Sequence, residues 1–245
     1  MTSFYIYPFR YECDNAIMLR NRLKGQRIKL QDSQYKYKKG DVIVNWGNSK
    51  CPSYPTIVNH PRSVGFAVDK LVAFDILRNS HLPTVSITRN RAVAQMWLEQ
   101  NFLVLGRSKI KGNNGQGIEF FDGKNCPNAK FYTKYLQDCN EYRVNVYKNE
   151  IISVRVKERD PKLPKEDNPI RSGNNGYFFK PAKTVQEPVV EVAKEAIAAL
   201  GLDFGGVDVL ETINNVYILE INTAPELQGP AMDKLAEFIK KDYGN

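Results

Sequence analysis

Histidine is nearly absent from this chain: His60 and His81 are the two in 245 residues. Each is followed closely by a proline, Pro61 or Pro83, so both read as loop residues. A histidine-based nucleophilic triad has little material here. Cysteine is also sparse. Cys13, Cys51, Cys126 and Cys139 are scattered with no C-x-x-C pair, which argues against zinc and against a disulfide framework. Free thiols in a reducing cytoplasm fit best. No apolar run approaches the roughly 20 residues of a membrane span. Met1-Thr2-Ser3-Phe4 does not begin a signal peptide, since no basic stretch precedes an apolar core. The expectation is a cytoplasmic protein with no membrane partner.

What is present is ordinary in bulk: 42% apolar and 25% charged residues, enough for one large or two small domains. The net charge is +8, from 35 basic and 27 acidic residues, which favours anionic ligands such as nucleotides or nucleic acid. A solvated basic surface is the plain alternative.

The pattern along the chain is α/β. Phe4–Tyr7, Arg27–Leu30 and Asp41–Trp46 read as strands, with a helix capped by Asp14, running through Leu23 and ended by Gly25. Cys51-Pro52-Ser53-Tyr54-Pro55 is a plausible boundary, giving a unit over 1–60 and a second over 61–245. In the second, Ser63 caps a helix with Val64, Ala67, Leu71, Phe74 and Leu77 on one face. Thr84–Ile87 is a strand, Thr88 caps a helix through Glu99, and Phe102–Leu105 is a buried strand ending at Arg107. From residue 130 the chain is strand-rich, with a hairpin around Lys148-Asn149-Glu150. Helices open at Pro188 and Pro230. Two α/β layers sharing a cleft are expected, divided as 61–129 and 130–245.

The most informative stretch is Gly206-Val207-Asp208-Val209-Leu210, a polar turn, then Tyr217-Ile218-Leu219-Glu220-Ile221-Asn222. Each apolar strand carries a lone acid, which is costly to bury without a partner. A magnesium ion on nucleotide phosphates is one such partner, since it takes carboxylate and amide oxygens. Glu220 and Asn222 share a face by alternation. Asp208 joins them only if the connecting loop has an odd number of residues, so the metal reading predicts a three-residue loop, Ile213-Asn214-Asn215. The alternative is an edge hairpin with solvated acids.

Upstream, Gly112-Asn113-Asn114-Gly115-Gln116-Gly117 follows a strand, and glycines let backbone amides cradle phosphate oxygens. It is not a Walker A loop, because no Gly-Lys-Ser/Thr ending follows. The strand-like Ile-Glu-Phe-Phe after it excludes the dinucleotide fingerprint. A flap between two strands is expected, against a plain surface hairpin. Arg107, Lys134, Arg143 and Lys157 lie in or at the ends of apolar strands and need anionic partners. Alternation puts Glu141, Arg143 and Asn145 on one face, and Lys157 with Arg155. Triphosphate would satisfy such cations, and so would surface salt bridges. Ile170-Arg171-Ser172-Gly173-Asn174-Asn175-Gly176 is a further polar loop.

In this order, the pieces over 61–245 resemble the ATP-grasp superfamily of carboxylate–amine ligases, in a compact layout similar to small members encoded by phages. The resemblance implies an ATP-grasp fold preceded by a small Rossmann-like unit. It implies that Arg107 touches the α- and β-phosphates, where many members have lysine. It places Lys134 beside adenine and the α-phosphate, with Tyr135 and Leu136 bonding the base through their backbones. Glu141 would bind ribose and Arg143 would meet the γ-phosphate or acyl phosphate. Lys157 and Arg171 would serve phosphate or substrate. Asp208, Glu220 and Asn222 would hold Mg2+, for which Mn2+ could substitute.

The implied reaction moves the γ-phosphoryl of ATP onto a carboxylate and lets an amine displace phosphate, on small-molecule or peptide substrates. Closure of the flap over 112–117 would keep water from the acyl phosphate. Two other functions stay open: a kinase of the same fold, and a basic nucleic-acid-binding protein. The basic residues are spread along the chain without an RNP-like aromatic motif, so nucleic acid is not required.

Overall fold

The structure is a computed structural model that describes residues 2–110, 117–121, 123, 125–163 and 170–244. The described residues form three sheets. The first, with order β2-β1-β3-β4, is parallel: β1 Ser3–Pro8, β2 Gln26–Arg27, β3 Asp41–Trp46 and β4 Ile57–Val58. Helix α1, Asp14–Leu23, joins β1 to β2 as a parallel pair requires. Phe4, Ile6, Val42 and Val44 turn to one face and bury with Leu19 and Leu23. The last helix, α6 (Pro230–Tyr243), completes that layer through Met232, Leu235 and Ile239. The first and last parts of the chain thus share one apolar cluster.

Several helix ends differ from the sequence reading. Cys13, not Asp14, is the N-cap of α1, and Lys24, not Gly25, takes the left-handed conformation at its end. Gly25 is required for another reason: a Cβ there would stand 2.5 Å from the Phe4 carbonyl oxygen. The helix expected from Ser63 is two helices, α2 Pro61–Val68 and α3 Lys70–Asn79. His60 caps the first. Asp69 interrupts the run in an extended conformation, and its carboxylate accepts the Leu71 and Val72 N–H groups at 3.1 and 3.3 Å. Helix α4, Arg91–Glu99, is capped by Asn90 rather than Thr88, whose hydroxyl instead accepts the Asn90 N–H.

The second sheet, β5-β8-β6-β7, is antiparallel: β5 Ile87–Thr88, β6 Val104–Arg107, β7 Ile118–Phe121 and β8 Phe131–Lys134. Helix α4 covers one face, with Ala94, Trp97 and Leu98 against Val104 and Tyr132. The third sheet, β11-β10-β9-β12-β13, is also antiparallel. Its strands are β9 Asn140–Tyr147, β10 Glu150–Arg159, β11 Tyr177–Pro181, β12 Phe204–Glu211 and β13 Val216–Asn222. One face carries Val144, Val146, Val207, Val209, Ile218 and Ile221. It packs on α5 (Glu187–Ala199) and on Val64, Ala67 and Leu77 of α2 and α3. No helix among the described residues is long and apolar enough to cross a membrane.

Candidate active site

The other face of the third sheet lines a cavity of about 640 Å3, closed opposite by Leu105, Arg107 and Thr133 of the second sheet. Register arranges the cavity face into rows. Arg155 stands opposite Arg143, Arg143 opposite Asp208, and Asp208 opposite Glu220. One row to one side, Asn145 faces Gly206 and Gly206 faces Asn222. Glu141 faces Leu210 on the other side. Gly206 keeps its row low: a Cβ there would stand 2.8 Å from Asn145 Oδ1 and 3.1 Å from Pro225 Cβ.

Asp208, Glu220 and Asn222 do share the cavity face, but not by the expected route. The turn closes across Thr212 and Asn215, with the Thr212 N–H donating to the Asn215 carbonyl at 2.8 Å. The loop is therefore even, Ile213-Asn214. Val209 pairs with Ile218, yet Asp208 pairs with Glu220, so Leu219 is the extra residue of a β-bulge. The bulge reverses the parity that the even loop would impose. It also lets Ile218 and Ile221, three apart, both reach the apolar face, while Leu219, Glu220 and Asn222 line the cavity. Against this bend, the Ile218 N–H donates to the Pro83 carbonyl at 2.9 Å.

The charges on this face are largely paired. Arg143 grips Asp208 with both fork nitrogens, Nε and an Nη, at 2.7 Å each. Burial works against the Arg143 charge, but Asp208 outweighs it, and the guanidinium holds its proton more tightly than usual. The Phe179 ring lies under Arg143, 4.2 Å from its centroid. Lys157 bonds Glu141 and also donates to the Arg171 carbonyl at 3.1 Å. Burial pushes the Glu141 carboxyl up, with the Lys157 ammonium pulling the other way. Arg171 donates to the Cys139 carbonyl at 2.8 Å. Glu220 is met at 2.8 Å by Lys70, the first residue of α3.

Six buried side-chain polar atoms have no partner among the described residues, and three of them belong to residues lining the cavity: Arg107 Nε, Thr133 Oγ1 and Asn222 Nδ2. Burial lowers the Arg107 pKa, and Glu220 offsets only part of that. A half-buried cation at the cavity wall, offset only in part by Glu220, is suited to an anion. Among the described residues no group of three or more His, Cys, Asp or Glu is poised for a metal. The set here is two carboxylates and an amide, so water and phosphate oxygens would have to complete a magnesium shell, as magnesium commonly requires.

Tyr135, Leu136, Glu141, Lys157 and Arg171 line the same cavity as Arg107, Arg143, Asp208, Glu220 and Asn222. Lys134 also borders it, but its Nζ lies 3.4 Å from the Phe102 centroid and 5.4 Å from that of Trp97. Alternation along β8 gives Thr133, opposite Leu105, to the cavity side and Lys134 to the α4 side. Gly112, Asn113, Asn114, Gly115 and Gln116 lie outside the described residues. Gly117, with φ +72°, accepts the Ser108 N–H at 2.8 Å where β6 passes towards β7. Sequence reasoning missed Lys70, Arg10 and Thr133 as cavity residues. Arg10 follows the C-terminal end of a parallel strand, a position where α/β sheets commonly bind ligands, and that signal was there to be read.

No model of a known protein family matches the chain, and a comparison with curated protein sequences finds no match. Solved structures do match. PsnB, an ATP-grasp ligase solved with a minimal precursor, Mg and ADP, superposes with a TM-score of 0.72 at 12% identity, over 99% of this chain and 98% of that one. D-alanine–D-alanine ligase from Bacillus anthracis gives 0.66 at 12% identity, over 99% of each chain. The macrocyclase MdnC from Microcystis aeruginosa MRC, bound with precursor peptide MdnA, gives 0.62 at 12% identity, over 98% of this chain and 100% of that one. At such identities the likeness is one of architecture, and it covers all three sheets: the chain has the ATP-grasp fold.

Proposed function

We propose that the chain is an ATP- and magnesium-dependent ligase that joins a carboxylate to an amine through an acyl phosphate. The observation that carries this reading is the charged row Arg155–Arg143–Asp208–Glu220 on the cavity face, with Arg107, whose Nε has no partner among the described residues, across from it. Two acids and an amide on one face, beside cations in excess of their partners, suit a metal–triphosphate ligand. Asp208, Glu220 and Asn222 would hold the magnesium, which supplies neutralisation of phosphate charge when bound. The neighbours solved with Mg and ADP support the use of magnesium and an adenine nucleotide.

Arg107 would bind the phosphate chain, and Tyr135 and Leu136 the base. Arg143 holds Asp208 through Nε and one Nη and brings its charge to the centre of the row, where it would neutralise the oxygens of the transferred phosphoryl. Lys157 and Arg171 adjoin it for the substrate carboxylate. The γ-phosphoryl passes to a carboxylate oxygen and ADP leaves. The amine nitrogen then attacks the acyl carbon, a C–N bond forms, and phosphate departs with the electron pair of the broken C–O bond. The amine proton goes to solvent. No protein nucleophile is needed, and the chain's scarcity of histidine agrees with that. PsnB and MdnC were solved with precursor peptides, which favours a peptide as one substrate.

The test is calorimetric titration with ATP and magnesium, followed by mass spectrometry of products from a screen of amino acids and peptides. ADP release with an amide product is expected. Absence of ATP binding would overturn the reading, and a stable phosphorylated product would make the protein a kinase of this fold.

A further inference from the structure

The net charge of the chain is concentrated in one place. Residues 1–60 hold ten basic and four acidic side chains, a net +6, against +8 for the whole chain. Within that unit, residues 28–40 form an irregular strap between β2 and β3 with neither helix nor strand. The strap must cross β1, because β1 lies between β2 and β3 in the sheet. It crosses on the face opposite α1, where Tyr35 packs on Tyr5 at 4.6 Å.

The strap alternates. Tyr35 and Tyr37 turn inward: both pack on Tyr54 at 6.0 Å, and Tyr35 donates to Asp41 at 2.7 Å. Lys36 and Lys38 turn outward, and Lys29, Lys39 and Lys50 are exposed as well. Asp41 cannot neutralise them, because it is buried and accepts from Tyr35 and from the Lys38 N–H. Among the described residues none of these five lysines is in a salt bridge. The same unit also reaches the cavity wall. Gly47, three residues before Lys50, packs against Ala224, and both Ala224 and Arg10 line the cavity.

We infer that this lysine ridge docks an extended acidic peptide segment. The two-residue spacing of Lys36 and Lys38 matches carboxylates on alternate residues of an extended chain. The tyrosines turn inward and pack on one another, so they do not stand out as the stacking platform that a single-stranded nucleic-acid groove would need. Within the strap the exposed cations are all lysines, point charges without the guanidinium fork that favours phosphate. The inference goes beyond the proposed reaction and does not depend on it, since docking and ADP release are measured separately.

Fluorescence anisotropy tests it, with three labelled probes: a twelve-residue peptide of alternating Glu and Ser, the same peptide with Gln for Glu, and a twelve-nucleotide oligothymidine. The Glu peptide should bind, and the Gln peptide should not. K36E/K38E should weaken binding about tenfold or more, as should raising salt well past physiological strength. K240E/K241E, on α6, should leave it unchanged. Oligothymidine binding as tight as that of the Glu peptide would overturn the proposal, as would no binding of the Glu peptide or equal weakening by the α6 variant. Circular dichroism of each variant separates lost docking from lost folding.

Discussion

The same five strands of the C-terminal sheet face α5 on one side and the cavity on the other, and the two sides obey opposite rules. Towards α5, Val144, Val146, Val207, Val209 and Ile218 are all fully buried and interchangeable in kind. Towards the cavity, Arg143, Asp208 and Glu220 stand at fixed register positions, each charge held by another. One face holds the strands in place by area, while the other uses the strands to fix distances between charges. Stability and chemistry should therefore separate cleanly by face.

The harshest way to break that separation is Asp208→Ala. It strips Arg143 of its partner and should cost roughly 3 kcal/mol of stability as well as most of the turnover. Urea unfolding alongside ADP release would show both. Were stability untouched, the Arg143 fork would not be paired as the structure has it. Ile197→Ala, on the α5 side, should cost about 2–5 kcal/mol and leave turnover per folded molecule near wild type. A large activity loss at full folding would show that the two faces are coupled.

Glu220→Ala sharpens the contrast from the other side. Turnover should fall at least about a hundredfold, equivalent to about 2.7 kcal/mol, with a smaller change in melting temperature. Unchanged ADP release would remove Glu220 from the proposed metal set. The smallest effect concerns Glu141. Its carboxyl pKa is raised by burial, so the folded state holds the proton more tightly than the unfolded state does. That contribution is complete below the ordinary carboxyl value of about 4.3 and is lost as pH rises to the raised one. Melting curves across mildly acid pH should show this loss in the wild type and not in Glu141→Gln, and parallel curves would refute it.

The cavity face was legible in the sequence because alternation in strands is robust. Glu141, Arg143 and Asn145, and then Glu220 and Asn222, share faces wherever the strands run regularly. What was not legible arose where regularity fails. The parity of the 212–215 turn is even, and the bulge at Leu219 corrects it; the spacing of Ile218 and Ile221 by three was the trace it left in the sequence. Lys70 was hidden inside an apparent single helix, because an apolar stripe does not reveal that Asp69 leaves the helix to cap the next one. Lys134 sits in a strand that borders the cavity, but one register step turns its side chain to Trp97 and Phe102. The division at residue 60 rested on local composition, which gives no hint that α6 returns to pack on α1.

The bulge also changes what the hairpin tip is free to do. Ile213 at that tip is 96% exposed, and the cavity-face acids take their positions from the apolar pairs and Leu219 below it. The tip is thereby insulated from the site. Residues could be added there, in odd or even number, without turning Glu220 from its row, which makes it a natural place for a label or a graft.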